Sequence, residues 1–255
     1  MEVFGNYSRY YDLLYRDKDY RAEAAYVRDH IRRHDPHARS ILELGCGTGA
    51  HAQHLAAFGF EVHGVDLSQT MLERAFLKND TLPPDVSGRV AFSQGDVRAV
   101  RLDRKFDSVV SLFHVMSYQI ATSDLLAAFV TAKHHLSQGG IFIFDCWYGP
   151  AVLTCRPSVR VKRLEDDAIS VIRIAEPVMH PNDNVVDVNY SITIRDKASG
   201  RVEELKETHC MRYLFRPEVE LLAAQTGFEI IESQEWMTGK APGFDTWGVC
   251  FVGRG

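Results

Sequence analysis

The sequence lacks the patterns that would indicate a disulfide framework or a metal site. Its five cysteines are an odd number, and no two of them form a C-x-x-C pair. The histidines show no H-E-x-x-H or comparable local spacing. We therefore expect reduced thiols, a cytoplasmic protein and no bound metal.

Basic stretches and long apolar runs are also missing. The net charge is −5, and charged residues make up 25% of an otherwise ordinary composition, so nucleic acid is not an expected partner. No apolar run approaches the roughly 20 residues that a membrane-spanning helix needs. The aromatic and charged N-terminus is not typical of a secretory leader. We predict a protein that is neither exported nor bound to a membrane.

Helical and strand patterns alternate along the first part of the chain. An amphipathic helix is predicted from Asp19 to about His34, and later helices separate the predicted strands. The strands are apolar along their whole length, which is typical of a parallel sheet covered on both faces. We therefore predict an α/β fold with a doubly wound sheet, whose first five strands lie at 40–44, 61–66, 90–96, 106–113 and 141–147.

The pattern changes to strands alone after residue 150. Apolar and polar residues alternate strictly over 185–194, and strand patterns at 169–175 and 202–214 flank this run. Turn-forming residues separate the three strands. We predict an antiparallel β meander over roughly 151–213, inserted into the α/β domain.

The α/β pattern resumes after the predicted insert. Pro217 begins a helix, and strand patterns follow at 228–236 and 246–253. No helix separates these two strands, so they should pair antiparallel. The α/β domain is thus predicted to comprise residues 1–150 and 214–255.

A glycine-rich loop follows the first predicted strand, in the segment Glu43-Leu44-Gly45-Cys46-Gly47-Thr48-Gly49. Its glycines allow a sharp turn and let a ligand touch the backbone. The helix after the loop directs free N–H groups at the same place. Nicotinamide and flavin sites use the same kind of loop, so the loop alone does not identify the ligand.

Three carboxylates at strand ends narrow the choice of ligand. Asp66 ends the second strand, where a carboxylate can accept hydrogen bonds from both ribose hydroxyls of an adenosine. Asp96 ends the third strand and, with Val97, is expected near the adenine. Glu43 would repel a pyrophosphate but would attract an ammonium group and a sulfonium. These residues favour a nucleoside that carries an amino acid over one that carries a diphosphate.

Successive segments resemble the motifs of class I S-adenosylmethionine-dependent methyltransferases. The resemblance covers residues 39 to 147 and the last two strands, and it implies a seven-stranded sheet with an antiparallel last strand. It also implies S-adenosyl-L-methionine as the cofactor. The segments that carry it are the glycine loop with Glu43, Asp66 with Ser68 and Met71-Leu72, Gly95-Asp96-Val97, Phe106-Asp107-Ser108-Val109-Val110, and His135-Leu136-Ser137-Gln138-Gly139-Gly140. The implied cofactor-binding residues are Tyr11, Tyr20, Glu43, Gly45, Cys46, Gly47, Asp66, Leu67, Met71, Asp96, Val97 and Leu112.

Almost the whole chain is similar to the N-methyltransferases of nucleotide-linked amino sugars, such as the dTDP-3-amino-sugar dimethyltransferases. This resemblance implies that Tyr11 and Tyr20 close over the cofactor, that Tyr118 faces the substrate amine, and that the insert builds the sugar and nucleotide pocket. Trp247 stands where these enzymes carry an arginine on the approach to the last strand, which leaves the acceptor open. The segments concerned are Tyr11–Tyr15, Lys18–Tyr20, Ser111–Phe113, Asp145–Tyr148 and Glu207–His209.

Methyl transfer from a sulfonium requires positioning of the acceptor and exclusion of water rather than a strong nucleophile. An amine acceptor must also lose a proton. The candidate catalytic residues are Tyr118 and His114, after the fourth strand. If the insert covers the site, Arg173 or Arg212 could hold a phosphate. The candidate substrate-binding residues are Phe4, Tyr118, Trp147, Tyr148, Arg173, His209, Arg212 and Trp247.

Several of these residues also have a purely structural interpretation. Tyr118 and Tyr148 could be packed aromatics, and His114 is more typical of a structural or cofactor-contacting histidine than of a base. Surface exposure is the default expectation for His209 and Arg212. The insert could form a homodimer interface as readily as a cover for the site.

The predicted function is transfer of a methyl group to the amine of a nucleotide-linked amino sugar, a small-molecule substrate. The first alternative is methylation of a hydroxyl or carboxylate on another small molecule. The others are an NAD-dependent dehydrogenase and a non-catalytic nucleoside-binding module. Glu43 beside the glycines and the antiparallel last strand argue against the dehydrogenase.

Overall fold

The computed structural model describes residues 13–255, so the predicted ligand contacts Phe4 and Tyr11 lie outside the described residues. The described strands form one hydrogen-bonded network of eleven strands. Seven of them belong to an α/β sheet, and four form an antiparallel insert.

The elements follow the predicted order closely. The first half of the chain contains α1 Tyr20–His34, β1 Ser40–Leu44, α2 Ala50–Ala57, β2 Glu61–Asp66, α3 Gln69–Asn79, α4 Pro84–Ser87, β3 Val90–Gln94, β4 Phe106–Ser111, a 3₁₀ helix Val115–Tyr118, α5 Thr122–His135 and β5 Leu136–Tyr148. The second half contains α6 Gly149–Thr154, β6 Arg160–Glu165, β7 Ile169–His180, β8 Val185–Asp196, β9 Val202–Leu214, α7 Arg216–Gln225, β10 Glu229–Glu235 and β11 Gly248–Arg254.

The α/β sheet has the strand order β3-β2-β1-β4-β5-β11-β10. Strands β1 to β5 pair in parallel, whereas β11 runs antiparallel to both β5 and β10. The reversal follows from the absence of a helix between β10 and β11, because a parallel pair needs a crossover connection. The predicted seven-stranded sheet with an antiparallel last strand is confirmed.

Alternate residues of the central strands enter two separate hydrophobic cores. On β1, Leu42 packs in one core and Ile41 in the other, and on β4 Val109 and Val110 divide in the same way. Apolar residues of α5 and α7 complete the first core, while those of α1, α2 and α3 complete the second. Both faces of the sheet are therefore buried, which explains why its strands are apolar along their whole length.

The insert is a four-stranded antiparallel sheet in the order β6-β7-β8-β9. It joins the α/β sheet where the end of β9 pairs in parallel with the end of β5, at Trp147 with Tyr213 and Tyr148 with Leu214. The three predicted strands are present. The edge strand β6 was missed because its sequence, RVKRLE, is mostly charged, as edge strands often are.

The apolar face of β8 packs on the segment that precedes α1. Ile192 and Ile194 form one cluster with Leu13, Leu14 and the α3 residue Met71. The insert thereby covers the N-terminal segment and the start of α3. No helix among residues 13–255 combines the length and the apolar character needed to cross a membrane.

Candidate active site

A cavity of about 710 Å³ lies at the carboxyl ends of the central strands. Its volume is within the range of small-molecule sites, and open α/β sheets bind ligands at this edge. The cavity is lined by most of the residues that the sequence predicted for cofactor and acceptor, namely Tyr20, Gly45, Cys46, Gly47, Asp66, Leu67, Met71, Asp96, Val97, Leu112, His114, Tyr118 and Trp147.

The glycine loop is held against the end of β2. Gly45 has a φ of 80°, and a Cβ at this position would lie 2.6 Å from the side chain of Val115. The backbone N–H of Gly47 donates to Asp66 Oδ2 at 2.7 Å, and the N–H of Ser68 donates to Asp66 Oδ1 at 2.9 Å. The Asp66 carboxylate thus orders the loop and also faces the cavity. Burial raises its pKa.

Glu43 is buried behind this loop, with 1% of its surface exposed. It is not among the residues that line the cavity. Burial, and after it the charge of Asp66, raises the pKa of Glu43 to about 8. Without a ligand the side chain is therefore mostly a neutral acid at pH 7.

His51, on the first turn of α2, connects Glu43 to the cavity. Its Nδ1 lies 3.7 Å from Glu43 Oε1, and its Nε2 lies 2.8 Å from Glu23 Oε2. Lys18 pairs with the same Glu23 carboxylate. Burial alone would raise the pKa of Glu23, but hydrogen bonds and charges from His51 and Lys18 lower it to about 2. Sequence analysis missed His51, although its place directly after the glycine loop was a usable signal.

Asp96 lines the cavity together with Arg98, another residue that sequence analysis missed. The guanidinium donates to both carboxylate oxygens of Asp96, with Nη2 2.6 Å from Oδ2. This hydrogen bonding is the main reason that the pKa of Asp96 is lowered. The Asp96 end of the cavity therefore carries an ionised acid and an arginine side by side.

The chain adopts an unusual conformation directly after β4. Phe113 and His114 both have left-handed φ angles, 65° and 64°, which is costly for residues other than glycine. Asp145 stabilises this turn, since the His114 N–H lies 3.1 Å from both of its carboxylate oxygens. His114 Nδ1 also lies 2.7 Å from Asp145 Oδ2. The turn directs the residues after it toward the cavity.

Tyr118 ends the 3₁₀ helix and is linked to the insert. Its hydroxyl lies 2.8 Å from His209 Nδ1 on β9. The other ring nitrogen of His209, Nε2, lies 3.3 Å from Glu207 Oε2. Burial raises the pKa of Tyr118 well above its usual value, so the phenol stays protonated. The three side chains form a continuous hydrogen-bonded series that begins at the cavity.

The insert also contributes directly to the cavity wall. Tyr190 from β8 and Met211 from β9 line it, and neither was predicted. Tyr190 packs its ring against the edge of His209 at 5.0 Å. The alternation over 185–194 placed Tyr190 on the apolar face, but only the tertiary structure shows that this part of the face borders a cavity.

Four predicted substrate contacts, Tyr148, Arg173, Arg212 and Trp247, do not line the cavity. Trp247 packs edge-on against Trp147 at 5.9 Å, and the Arg173 guanidinium lies over the ring of Tyr190 at 4.8 Å. His209 does not line it either and reaches it through Tyr118.

Arg212 requires a correction. It is buried rather than exposed, and its guanidinium donates to the backbone oxygen of Ile120 at 2.8 Å and to Thr122 Oγ1 at 3.2 Å. It also pairs with Glu218 of α7. These contacts connect β9 with α5 and α7, and the phosphate contact stays a prediction. His209 is likewise buried, not exposed.

Comparison with known proteins identifies the family. A methyltransferase domain model matches residues 41–140. The chain is 32% identical over 222 residues to dTDP-3-amino-3,4,6-trideoxy-alpha-D-glucopyranose N,N-dimethyltransferase of Streptomyces venezuelae, with 86% of this chain and 89% of the relative covered.

Two solved structures agree with this assignment. The crystal structure of DesVI from Streptomyces venezuelae shares 30% identity with this chain and superposes with a TM-score of 0.80. The match covers 97% of each chain. The SAM-bound structure of CalS10, an amino pentose methyltransferase from Micromonospora echinaspora, shares 27% identity with a TM-score of 0.73, covering 94% of this chain and 92% of its own.

The sheet order, with its antiparallel last strand, is consistent with the fold of these relatives. The dehydrogenase and the non-catalytic module are therefore set aside. The chain belongs to the S-adenosylmethionine-dependent methyltransferases, and it is an enzyme that uses S-adenosyl-L-methionine as its methyl donor.

Proposed function

We propose that this enzyme methylates the amine of a nucleotide-linked amino sugar. One observation in the structure carries the proposal. The Tyr118 hydroxyl at the cavity is hydrogen-bonded to one ring nitrogen of His209, and Glu207 is hydrogen-bonded to the other. An amine that becomes methylated must release a proton, and this series can take it up. The S. venezuelae relative, whose name describes a dTDP-linked amino-sugar dimethyltransferase, supports the same acceptor class.

The cofactor would lie along the ends of β1, β2 and β3. Asp66 would accept hydrogen bonds from the ribose hydroxyls, and Val97 would contact the adenine beside Asp96. The amino-acid end would reach the glycine loop next to His51. Asp66, Asp96, Val97, His51 and residues 45–48 of the loop all line the same cavity, so the donor set suits a nucleoside at one end and an amino acid at the other.

Glu43 would act on the amino-acid end through its charge rather than by direct contact. Burial beside Asp66 holds the pKa of Glu43 at about 8. A bound ligand that carries an ammonium and a sulfonium would favour the ionised carboxylate. Cofactor binding is therefore expected to release a proton from Glu43 and to strengthen as the pH rises toward 8.

The cofactor supplies a methyl group on a positively charged sulfur, and no strong nucleophile is needed. The neutral amine attacks the methyl carbon, so that a C–N bond forms as the C–S bond breaks. The nitrogen then passes a proton to the Tyr118 oxygen while the Tyr118 hydroxyl proton moves to His209 Nδ1. Glu207 accepts a hydrogen bond from His209 Nε2–H and stabilises the imidazolium. The phenol ends in the protonated form in which it began.

The acceptor end of the cavity has largely aromatic walls. Trp147 comes from the end of β5, Phe113 from the left-handed turn, and Tyr190 and Met211 from the insert. Such walls exclude water and present flat apolar faces to a ring. The sugar would be positioned between these faces with its amine toward Tyr118.

The acceptor can be tested with a panel of substrates. The enzyme would be incubated with isotopically labelled S-adenosylmethionine and dTDP-, UDP- and GDP-linked amino sugars. The masses of the products would be measured by mass spectrometry. We expect a mass gain of one or two methyl groups on at least one amino sugar. No gain on any of them, with S-adenosylhomocysteine binding intact by calorimetry, would reject the proposal.

Matched sugars that carry a hydroxyl in place of the amine provide the control. They preserve the nucleotide and the ring but remove the nitrogen, so we expect no mass gain from them. Methylation of the hydroxyl sugars alone would instead support the O-methyltransferase alternative.

A cytoplasmic location and a homodimer through the insert remain predictions. The five cysteines are all free thiols, which is consistent with a reducing compartment. Val161 on the edge strand β6 and the nearby Val159 are exposed, so the insert offers an edge for pairing. Sedimentation of the purified enzyme measures its mass in solution, and a monomeric mass at micromolar concentration would contradict the dimer.

A further inference from the structure

A second cluster of chemically reactive side chains lies between α1 and β10, among residues that do not line the cavity. His30 and His34 are four residues apart on α1, so they share one face of the helix. Glu232 of β10 faces them. These three residues are called the α1–β10 cluster below. Sequence analysis predicted no metal because it considered only local spacing, whereas Glu232 lies 198 residues after His34.

The geometry of the α1–β10 cluster suits a small cation. His30 Nδ1 lies 3.1 Å and His34 Nε2 lies 3.2 Å from the same oxygen, Glu232 Oε2. Metal bonds of about 2.0–2.2 Å in a tetrahedral arrangement place neighbouring ligand atoms about 3.3–3.6 Å apart. One potential ligand atom from each of the three residues lies within 4.8 Å of the others, so shifts of roughly 1 Å would bring all three to the spacing of a tetrahedral site.

Neighbouring side chains already orient the carboxylate. Arg33 Nη1 donates to Glu232 Oε1 at 2.9 Å, and Gln234 Nε2 donates to the same oxygen at 2.8 Å. The second oxygen, Oε2, is the one directed at the histidines. Partners of this kind fix ligands in metal sites.

His30 also has a partner for its other nitrogen. Gln234 Nε2 lies 3.1 Å from His30 Nε2. When the metal binds, the Gln234 amide would turn over so that its oxygen accepts a hydrogen bond from His30 Nε2–H, which leaves the lone pair of Nδ1 for the metal. The hydrogen bond from Gln234 to Glu232 Oε1 would then be lost, and Arg33 would hold that oxygen. The ring changes only its tautomer, and no redox step is involved.

We propose that the α1–β10 cluster binds one zinc ion through His30 Nδ1, His34 Nε2 and Glu232 Oε2. Two imidazoles and one carboxylate are a ligand set that zinc prefers. His30 is buried, whereas His34 and Glu232 are 17% and 26% exposed. Water therefore has access to the fourth position.

A zinc ion bound by the α1–β10 cluster would cross-link the end of α1 to strand β10. The same helix carries Glu23, which pairs with His51 at the cavity wall. The ion would stabilise the folded chain, since a ligand that binds only the native state raises its stability. It would take no part in methyl transfer.

The test uses the full chain without an affinity tag, treated with a chelator and then desalted. Zinc is titrated by calorimetry and thermal unfolding is followed with and without the metal. Cobalt serves as a second probe, because its visible absorption reports the coordination geometry. We expect one zinc per chain, a higher melting temperature and a four-coordinate cobalt spectrum.

Two variants remove one ligand each, Glu232→Gln and His34→Ala, and His37→Ala provides the control because His37 is an exposed histidine outside the cluster. We expect at least 100-fold weaker zinc binding in both ligand variants and unchanged binding in the control. Circular dichroism and S-adenosylhomocysteine binding confirm that each variant folds. Equal zinc binding by all four proteins, or no stoichiometric binding by the wild type, would overturn the proposal and leave a hydrogen-bonded cluster only.

Discussion

The two ends of the cavity are built in different ways. The proposed cofactor end consists of strand ends and loops within one continuous stretch of chain, where Asp66 accepts hydrogen bonds from the Gly47 N–H in the glycine loop and from the Ser68 N–H after β2. The acceptor end depends on contacts between distant segments. Tyr118 meets His209, which lies 91 residues later on the insert.

This difference separates the part of the site that is built from local sequence from the part that depends on distant segments of the chain. The proposed cofactor end relies on backbone groups of the glycine loop and on the carboxylates of Asp66 and Asp96 after β2 and β3, so its requirements are local. The acceptor end relies on the register of β8 and β9, which determines that Tyr190 and Met211 reach the cavity. Under the proposed function, a change of acceptor would be accommodated by the insert.

The largest effect is expected from Tyr118→Phe at the acceptor end. Removing the hydroxyl breaks the hydrogen bond to His209 and interrupts the path for the proton. We expect kcat to fall about 100-fold, the lower end of what a positioned acid or base contributes. Affinity for S-adenosylhomocysteine, measured by calorimetry, should change less than twofold.

Tyr148→Phe is the matched control, since Tyr148 lies next to Trp147 but does not line the cavity. It should retain wild-type kcat. A Tyr118→Phe enzyme with unaltered turnover would remove this residue from the catalytic group.

The next effect is expected at the cofactor end. Asp66→Ala removes the acceptor of the Gly47 and Ser68 N–H groups and the proposed partner of the ribose. Affinity for S-adenosylhomocysteine should fall by about 1–3 kcal/mol. Calorimetry measures it directly, with the exposed Asp103 changed to alanine as the control. Equal affinity in both variants would contradict the proposed placement of the ribose.

Arg212→Ala distinguishes a structural role of that residue from the predicted phosphate contact. Truncation leaves Glu218 without the guanidinium that pairs with it, so we expect the free energy of unfolding to drop by about 1.5–3 kcal/mol. Urea denaturation measures this change. The KM for the nucleotide sugar should stay within about twofold of the wild type, whereas a direct phosphate contact would raise KM tenfold for each 1.4 kcal/mol lost.

Glu43 is expected to make the stability of the folded protein depend on pH. The folded protein holds the proton of Glu43 up to a pKa of about 8, while an unfolded glutamate releases it near 4.5. Between these values the unfolded chain binds fewer protons, so stability contributed by this group is full below pH 4.5 and declines as the pH rises through 8. The slope from one group is at most about 1.4 kcal/mol per pH unit.

Glu43→Gln should flatten that slope, which denaturation at a series of pH values between 5 and 8 would reveal. The same variant should lose the pH dependence of cofactor affinity. An identical slope in both proteins would show that Glu43 ionises normally in the folded enzyme.

The fold was predictable to a large extent because its signals are local. The strand at 40–44 and the helix from Asp19 follow from apolar patterns, and the structure has them at Ser40–Leu44 and Tyr20–His34. The edge strand β6 was missed since its charged sequence carries no apolar alternation. Periodicity reports burial, and an edge strand has little of it.

The proposed cofactor residues stay predictions, but the structure shows where their side chains lie. Asp66 and Asp96 line the cavity as expected, because the carboxyl ends of parallel strands meet at one edge of the sheet. Glu43 stands in the predicted strand but behind the loop. A sequence motif does not specify how deeply the Glu43 side chain is buried, so it could not predict that Glu43 lies outside the cavity wall.

The amino-acid sequence alone determined the order of helices and strands, the glycine loop and the strand-end acids, since each depends on neighbours within a few residues. The tertiary structure alone decided that Tyr118 meets His209, that Arg212 pairs inward, and that Glu232 faces two histidines of α1. Each of these contacts joins segments that are far apart in the sequence. Only the packing of the whole sheet brings them together, and a local sequence pattern cannot specify which distant residues meet.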